Sequence, residues 1–198
     1  MTAQRDLIIA LSAWIIQDGN YEDFERNQQT SVALEFYPGE NLQVCAPGAP
    51  PSLALISSSG SSPLYDVTGT IVHVAEDWWV VDFGIRAFRE DKSTKHKFRQ
   101  GDCVRGQISF GIDPFFYFER LARRDDAPAL IYEWTITKIE MQTAPRIETK
   151  PKYFERDPRL LGWREVEKTD AWLDDDGRAE YLLHCRRSEA PPRQRLRR

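Results

Sequence analysis

Alternation of apolar and polar residues constrains the fold of this chain more than any other feature. Residues 67–108 contain three strand-like stretches separated by short turns, and residues 132–136 repeat the pattern. Side chains two positions apart share one face of a strand, so each stretch buries one face and exposes the other. The residues that share a face within each stretch are Val67, Gly69, Ile71 and His73; Trp79, Val81, Phe83 and Ile85; Val104, Ile108 and Phe110; and Tyr132, Trp134 and Ile136. Four half-buried strands with tight connections predict an antiparallel sheet or a closed barrel.

Three short motifs follow one another within this region. The sequence GTIV at 69–72 precedes WVVDFG at 79–84, and FRQGDCV follows at 98–104. The Gly101–Asp102 pair suits a tight turn, because glycine takes positive φ without steric cost. This order resembles an oligonucleotide/oligosaccharide-binding (OB) barrel, and it is most similar to an RNA-binding subgroup first described in a ribosomal protein. The resemblance covers about forty of the 198 residues.

The OB resemblance implies a place and a chemistry for a ligand. Such barrels bind ligands across their second and third strands, where aromatic rings stack on bases and cations contact phosphates. Carried onto this chain, the stacking residues would be Trp78, Trp79 and Phe88, and the candidate phosphate ligands would be Arg86, Arg105 and Lys97.

We therefore predict a mainly β protein with an OB-like antiparallel barrel, additional N-terminal strands and a C-terminal β appendage. The N-terminal β segment spans 1–46 and includes a strand within 7–16, for which helix is the competing interpretation. Residues 47–63 are rich in Pro, Ser, Ala and Gly, which predicts a flexible loop or linker. The barrel spans 64–143, the appendage 144–185, and residues 186–198 form a basic tail predicted to be disordered.

Charge is distributed unevenly along the chain and bears on the class of partner. Residues 1–66 hold two Arg against eight Asp and Glu, whereas residues 184–198 hold six Arg against Glu189. The formal net charge is −4, and an acidic body disfavours tight, nonselective binding to nucleic acid, which depends on phosphate neutralisation.

The cysteine and hydropathy patterns predict a cytoplasmic protein. Cys45, Cys103 and Cys185 show neither metal-ligand spacing nor a disulfide framework, which suits a reducing compartment. The apolar run at 7–16 lacks the cleavage pattern of a signal peptide, and no run approaches membrane-spanning length. We expect no contact with a membrane.

Motifs for catalysis, metals and cofactors are absent from the sequence. The three His residues are scattered, and GQISFG at 106–111 misses the nucleophile-elbow spacing by one position. The acidic segment TDAWLDDDG at 169–177 fails as a calcium loop, because Trp172 and Leu183 would occupy ligand positions. It is instead interpreted as a polar turn. We expect no cofactor, no metal and no enzymatic activity, although carboxylates distant in sequence could still converge around a cavity to form a hydrolase.

These patterns favour a non-enzymatic binding protein that engages a macromolecule. Protein is the favoured partner, because an acidic, aromatic-rich body suits a protein interface better than a polyanion. One concrete form is an immunity or antitoxin-like protein that masks a basic effector. The alternative is single-stranded nucleic-acid binding, with RNA or DNA, on the barrel face. The aromatic run Phe115–Phe118 is interpreted as core covered by neighbouring elements or, failing that, as a partner surface. The oligomeric state is left open.

Overall fold

The computed structural model describes residues 6–58, 60–91 and 98–195, and these form a predominantly β structure. The described strands are β1 (Asp6–Ser12), β2 (Gln29–Val32), β3 (Leu34–Pro38), β4 (Gln43–Cys45), β5 (Ser52–Ser57), β6 (Leu64–Val74), β7 (Trp78–Asp82), β8 (Arg86–Glu90), β9 (Cys103–Ile112), β10 (Tyr132–Gln142), β11 (Arg146–Lys150), β12 (Tyr153–Arg156), β13 (Trp163–Val166) and β14 (Glu180–Arg187). The two α-helices are single turns, α1 (Ala13–Gln17) and α2 (Phe116–Glu119). Short 3-10 turns occur at Leu121–Arg123, Pro158–Leu160 and Asp174–Gly177.

Five of these strands close into a barrel. The strands β6, β7 and β8 pair as an antiparallel meander, and β9 pairs antiparallel with β6. The strand β3 completes the ring, since it pairs antiparallel with β9 and parallel with β8 at Glu35 and Phe88. Closure removes free sheet edges and turns one face of every strand inward. The predicted fold class, a mainly β protein with a barrel and extra strands outside it, is confirmed, and the ring is compatible with an OB-like barrel.

Two glycines show why the sequence can make this tight ring. Gly101 takes φ +94° at the start of β9, as the sequence predicts, and donates its backbone N–H to the Ile71 carbonyl at 2.8 Å. Gly69 lies where β6 passes over the barrel interior. A Cβ at that position would come within 2.5 Å of the Phe83 ring, so only glycine allows this approach.

The remaining strands extend the sheet beyond the barrel. In the extension β14 lies between β1 and β10, and both pairings are antiparallel. The other side of β10 holds β2 near one end and β13 near the other. Only Ala33 separates β2 from β3, so residues 29–38 run from the extension directly into the barrel. One continuous apolar core consequently joins the barrel interior to the extension.

The barrel is assembled from different segments than the sequence predicts. Its fifth strand is β3, which lies outside the predicted range of 64–143, whereas the predicted strand at residues 132–136 belongs to the extension as part of β10. Alternation within a strand reports which face is buried. It does not report which neighbour the strand pairs with. Local periodicity therefore could not show that β3, rather than residues 132–136, completes the barrel.

Residues 47–63 are not a loop throughout, which corrects the prediction. Residues 52–57, of sequence SLALIS, form β5 and pair antiparallel with β6. The flanking prolines and serines match the predicted turn chemistry. The short apolar run between them gains backbone hydrogen bonds and apolar contacts when it pairs with β6, which favours the strand over a solvated loop. In the N-terminal segment, the run at 7–16 is a strand followed by the helical turn α1.

The described part of the basic tail is ordered, which also corrects the prediction. Arg193 exchanges two backbone hydrogen bonds with Ile131 and forms an ion pair with Glu133. The Gln194 side chain donates to the carbonyls of Ala122 and Arg124. Polar contacts therefore hold a segment with little apolar content, and these long-range partners cannot be read from composition. Residues 196–198 lie outside the described part of the chain.

Cys45 and Cys103 form a disulfide between β4 and β9, which the spacing of the cysteines did not predict. The two residues are direct partners in the antiparallel register, with their Cα atoms 5.3 Å apart. Cys185 is a buried free thiol, and burial raises its pKa. The pairing removes the cysteine argument for a reducing compartment.

Candidate functional site

The aromatic residues predicted to stack on bases are buried. Trp79 points into the barrel, where its ring centroid lies 4.9 Å from that of Phe36. Trp78 and Phe88 lie on the outer face of β7 and β8, yet both are fully buried there. In this structure the three rings cannot stack on a base, because stacking requires an accessible ring face.

A segment of the same chain, residues 113–131, covers this outer face. Its apolar side chains form one buried cluster with Trp78, Val80 and Phe88, and they comprise Tyr117, Leu121, Ala122, Ala127, Leu130 and Ile131. Two ion pairs hold the cover at its edge, Arg120 with Glu90 and a bidentate pair between Arg124 and Asp77. We call residues 113–131 the covering segment.

The aromatic run Phe115–Phe118 lies within the covering segment and is helical in part. Tyr117 is fully buried, whereas Phe116 is exposed and the rings of Phe115 and Phe118 stack with centroids 4.8 Å apart. The run is therefore itself a cover for part of the core, rather than a strand covered by other elements.

His73 shares the covered face because β6 is irregular. The register between β6 and β7 shifts between Ile71 and His73, so Ile71 opposes Val81 in the barrel interior while His73 opposes Val80 on the outer face. The His73 ring packs against Trp78 with centroids 4.4 Å apart, and burial lowers the pKa of His73. A bulge of this kind reverses the alternation of side chains along the strand. His73 therefore lies on the opposite face from Ile71, whereas strict alternation predicts that the two share a face.

The basic residues predicted to bind phosphate are not brought together. Arg86 lies at the uncovered end of the outer face, where its Nε donates to Asp82 at 3.2 Å. Arg105 is exposed on β9, between β6 and β4. Lys97 lies outside the described residues.

Arg86 does line a cleft that the sequence did not predict. The cleft has a volume of about 710 Å³ and lies between the β7–β8 turn and the C-terminal segment. Arg187 crosses it, donating to the Gly84 carbonyl at 2.9 Å with its guanidinium over the Tyr132 ring. Asp82 and Glu189 also line the cleft, so it presents both charges.

A second concave region surrounds Glu180, at the start of β14. Two adjoining cavities of about 430 and 340 Å³ share Ser62 and Glu180 in their walls. Burial raises the pKa of Glu180, which accepts a 2.5 Å hydrogen bond from the Ser12 hydroxyl. Arg156 also lines the larger cavity. A carboxyl group of this kind can bind a hydrogen-bond donor or exchange a proton, the chemistry expected of a carboxylate in a cleft.

Two further carboxyl groups with raised pKa values lie nearby in the fold but are already engaged. Burial raises the pKa of Glu35, whose two oxygens accept from Arg89 and from the Tyr37 hydroxyl, each at 2.9 Å. Asp113 is fully buried and accepts from the Tyr117 backbone N–H at 3.1 and 3.2 Å. The hydrolase hypothesis requires two such carboxyl groups facing one cavity, and Glu35 and Asp113 are instead used in internal hydrogen bonds.

Two adjacent, strongly exposed apolar side chains form a third candidate site. Trp172 and Leu173 are 65% and 77% exposed, at the tip of the loop between β13 and β14. We call residues 170–177 the tryptophan loop. Exposed tryptophan is uncommon on a surface without a partner and is enriched at the energetic centres of protein interfaces.

Hydrogen bonds from three other elements hold the tryptophan loop in place. The Gln17 side chain of α1 donates to the carbonyls of Ala171 and Gly177, at 2.6 and 2.7 Å. Asp23 accepts from the Ala171 backbone N–H at 2.9 Å, and Asp174 accepts from the Tyr181 hydroxyl at 2.8 Å. The loop is therefore pre-organised, which lowers the entropy cost of binding through its tip.

Acidic residues are frequent within and next to the tryptophan loop. Residues 168–178 hold four Asp against two basic residues, and residues 17–28 hold four acidic residues against Arg26. The two stretches are neighbours, since Phe24 and Thr169 exchange two hydrogen bonds of 2.9 Å. Arg146 and Arg156 partly neutralise this charge by pairing with Asp175. The sequence does contain a signal for this site, because two large apolar residues, Trp172 and Leu173, interrupt an acidic turn. The interpretation of this segment as a polar turn overlooked them.

Comparisons with known proteins identify no relative. No family model matches the chain, and neither curated proteins nor solved structures give a match. Within residues 6–58, 60–91 and 98–195, helices long and apolar enough to cross a membrane are absent. Over the same ranges, no cluster of three His, Cys, Asp or Glu side chains is arranged to hold a metal ion.

Proposed function

We propose that this chain is a non-enzymatic binding protein whose partner is another protein with a basic surface. The observation that carries the proposal is the exposed Trp172–Leu173 pair on a hydrogen-bonded acidic loop. A buried apolar anchor supplies affinity, and the surrounding charge selects the partner and speeds encounter. An immunity or antitoxin-like role, in which the acidic face masks a basic effector, is one form of this function.

The proposal is tested by comparing two variants in capture from the native lysate after nuclease treatment. Trp172→Ser with Leu173→Ser removes the anchor, whereas Leu160→Ser changes a side chain that is 61% exposed on a different 3-10 turn. We expect the wild type and Leu160→Ser to retain the same basic protein, and the double variant to lose it. Retention should weaken as ionic strength rises, because exposed charges are screened. Equal capture by all three proteins would refute the proposal.

A second candidate function is single-stranded nucleic-acid binding, which would place the barrel in the RNA-binding OB subgroup. The observation that favours it is the cleft that contains Arg86 and Arg187 beside the accessible end of the barrel face. Tryptophan stacking plays no part in this version, because the covering segment occupies that surface.

Oligonucleotide binding at low salt tests this candidate directly. We expect fluorescence anisotropy of a labelled single strand to rise on addition of the wild type and to rise much less with Arg86→Glu. Arg123→Glu, which changes an exposed arginine outside the cleft, is the matched control. A failure of the wild type to bind either RNA or DNA would remove this function and leave the protein-binding proposal intact.

A further inference from the structure

The strand β5 is an open edge of the sheet. It is the terminal strand of the sheet order and pairs with β6 alone among the described strands. An edge strand presents a row of backbone N–H and C=O groups that can pair with another strand. This edge is a potential pairing surface unless its side chains oppose contact.

The side chains of β5 do not oppose contact. Residues 41–65 contain no charged residue, and the exposed positions within β5 include Leu55 at 42% and Ile56 at 49%. Sheet edges are normally protected by charged side chains, by proline or by bulges, and of these β5 itself has only a register irregularity between Leu55 and Ser57.

The opposite end of the same sheet shows that normal protection. The strand β13, of sequence WREV, exposes Arg164 and Glu165. The two ends of one sheet therefore differ, and β5 is the end without charge.

The sequence of β5 is close to self-complementary. Read in either direction, SLALIS begins and ends with serine and has apolar residues between. A twofold axis perpendicular to the sheet passes between two copies of the same residue, and an axis centred on Ala54 places Ala54 opposite Ala54 and Leu53 opposite Leu55. Apolar cross-strand pairs of this kind stabilise antiparallel sheets.

We propose that two copies of the protein associate through β5, antiparallel about a twofold axis, to form one sheet that is continuous across the dimer. The acidic body, of net charge −4, disfavours self-association through most other surfaces, whereas contact between two uncharged edges carries no charge repulsion. A twofold axis also closes the assembly, because the other edge of each β5 is paired with β6. This inference is independent of the proposed function, since β5 and the tryptophan loop are separate elements.

Molar mass in solution tests the dimer. For the purified wild-type protein, sedimentation equilibrium over a range of concentrations should show a transition from 23.0 kDa to twice that mass. Leu55→Lys places two like charges close to the axis and should raise the dissociation constant at least about tenfold. Leu160→Lys adds the same charge to an exposed leucine elsewhere and should leave the dissociation constant unchanged.

Hydrogen exchange on the wild type keeps the proposal testable if Leu55→Lys fails to fold. Backbone amides of residues 52–57 should become more protected as protein concentration rises, while those of β13 should not change. A wild type that stays at 23.0 kDa at every concentration would overturn the proposal. The proposal would also be overturned if Leu160→Lys weakened the dimer as much as Leu55→Lys does. A monomer whose β5 amides gain protection only when another protein is added would overturn it too.

Discussion

A single buried carboxyl group, Asp113, holds the start of the covering segment in place. It follows β9 directly, and backbone N–H groups at the start of α2 donate to it. Burial raises its pKa to about 7, and those backbone hydrogen bonds only partly oppose the shift. The charge state of one residue therefore affects how firmly the barrel face is covered near neutral pH.

We predict that Asp113 makes the protein less stable as pH rises from 5 to 8. Its pKa in the folded state lies above its ordinary value, so between pH 4 and 7 the folded protein binds more protons than the unfolded chain. The resulting stabilisation is complete below pH 4 and is lost as pH rises through 7. Over pH 5 to 7 the loss amounts to roughly 2–3 kcal/mol. Urea unfolding at a series of pH values measures it.

Replacement of Asp113 isolates its contribution. Asp113→Asn should flatten the fall in unfolding free energy between pH 5 and 8, whereas Asp125→Asn, an exposed position, should retain the wild-type profile. Profiles that coincide for the wild type and Asp113→Asn would contradict the prediction.

Residue types predicted backbone geometry better than they predicted exposure. The Gly-Asp pair correctly placed a turn with positive φ at Gly101, because that requirement is local. Trp78 was correctly placed on the strand that follows β6, but the sequence could not show that residues 113–131 cover Trp78 and Phe88. Exposure depends on segments distant in sequence, and alternation records only which side chains share a face.

At the scale of elements, the disulfide between β4 and β9 anchors a short strand. The strand β4 has three residues and pairs with β9 alone among the described strands. The covalent bond links residues 58 positions apart, which restricts the unfolded chain more than it adds contacts to the folded one.

We predict that reduction of this bond destabilises the protein by about 2–4 kcal/mol, the usual range for a loop of this length. Thermal unfolding with and without reductant measures the change. Cys45→Ser should abolish the sensitivity to reductant, whereas Cys185→Ser should retain it because Cys185 is a free thiol. Equal melting temperatures of the wild type in both conditions would contradict the prediction.

The sequence located β6, β7 and β9 from the alternation of their residues. Burial departs from that alternation in β7, which is buried on both faces, and in β6, where the register shifts before His73. The strand β5 was missed because its serine- and proline-rich flanks indicate a loop, while the four apolar residues between them are too few for a clear period. The strand β8 was missed as well, since Arg89 and Glu90 interrupt its apolar run.

At the scale of the whole molecule, the barrel is not a separable unit. The barrel strand β3 continues from β2 of the extension across Ala33, and the apolar core extends through both parts. A chain that shares one core unfolds as one cooperative unit.

We predict that a fragment of residues 64–143 does not fold, because it lacks β3 and leaves β8 and β9 unpaired on one side. Its far-ultraviolet circular dichroism should show little β structure, and it should bind a hydrophobic dye. The full chain should unfold in a single transition when followed by circular dichroism and by tryptophan fluorescence. A fragment with cooperative unfolding of its own would show that the barrel is an independent domain.

Pairing between β1 and β14 has a consequence for how the protein is made. Asp6 lies opposite Arg186 and Ser12 opposite Glu180, so the earliest strand has its main neighbour near the far end of the chain. At ordinary translation rates, synthesis of the intervening residues takes roughly ten seconds or more. Throughout that interval the apolar side chains of Leu7, Ile9 and Leu11 lack the strand beside which they are buried in the folded protein, which favours contacts with other molecules before β14 is made.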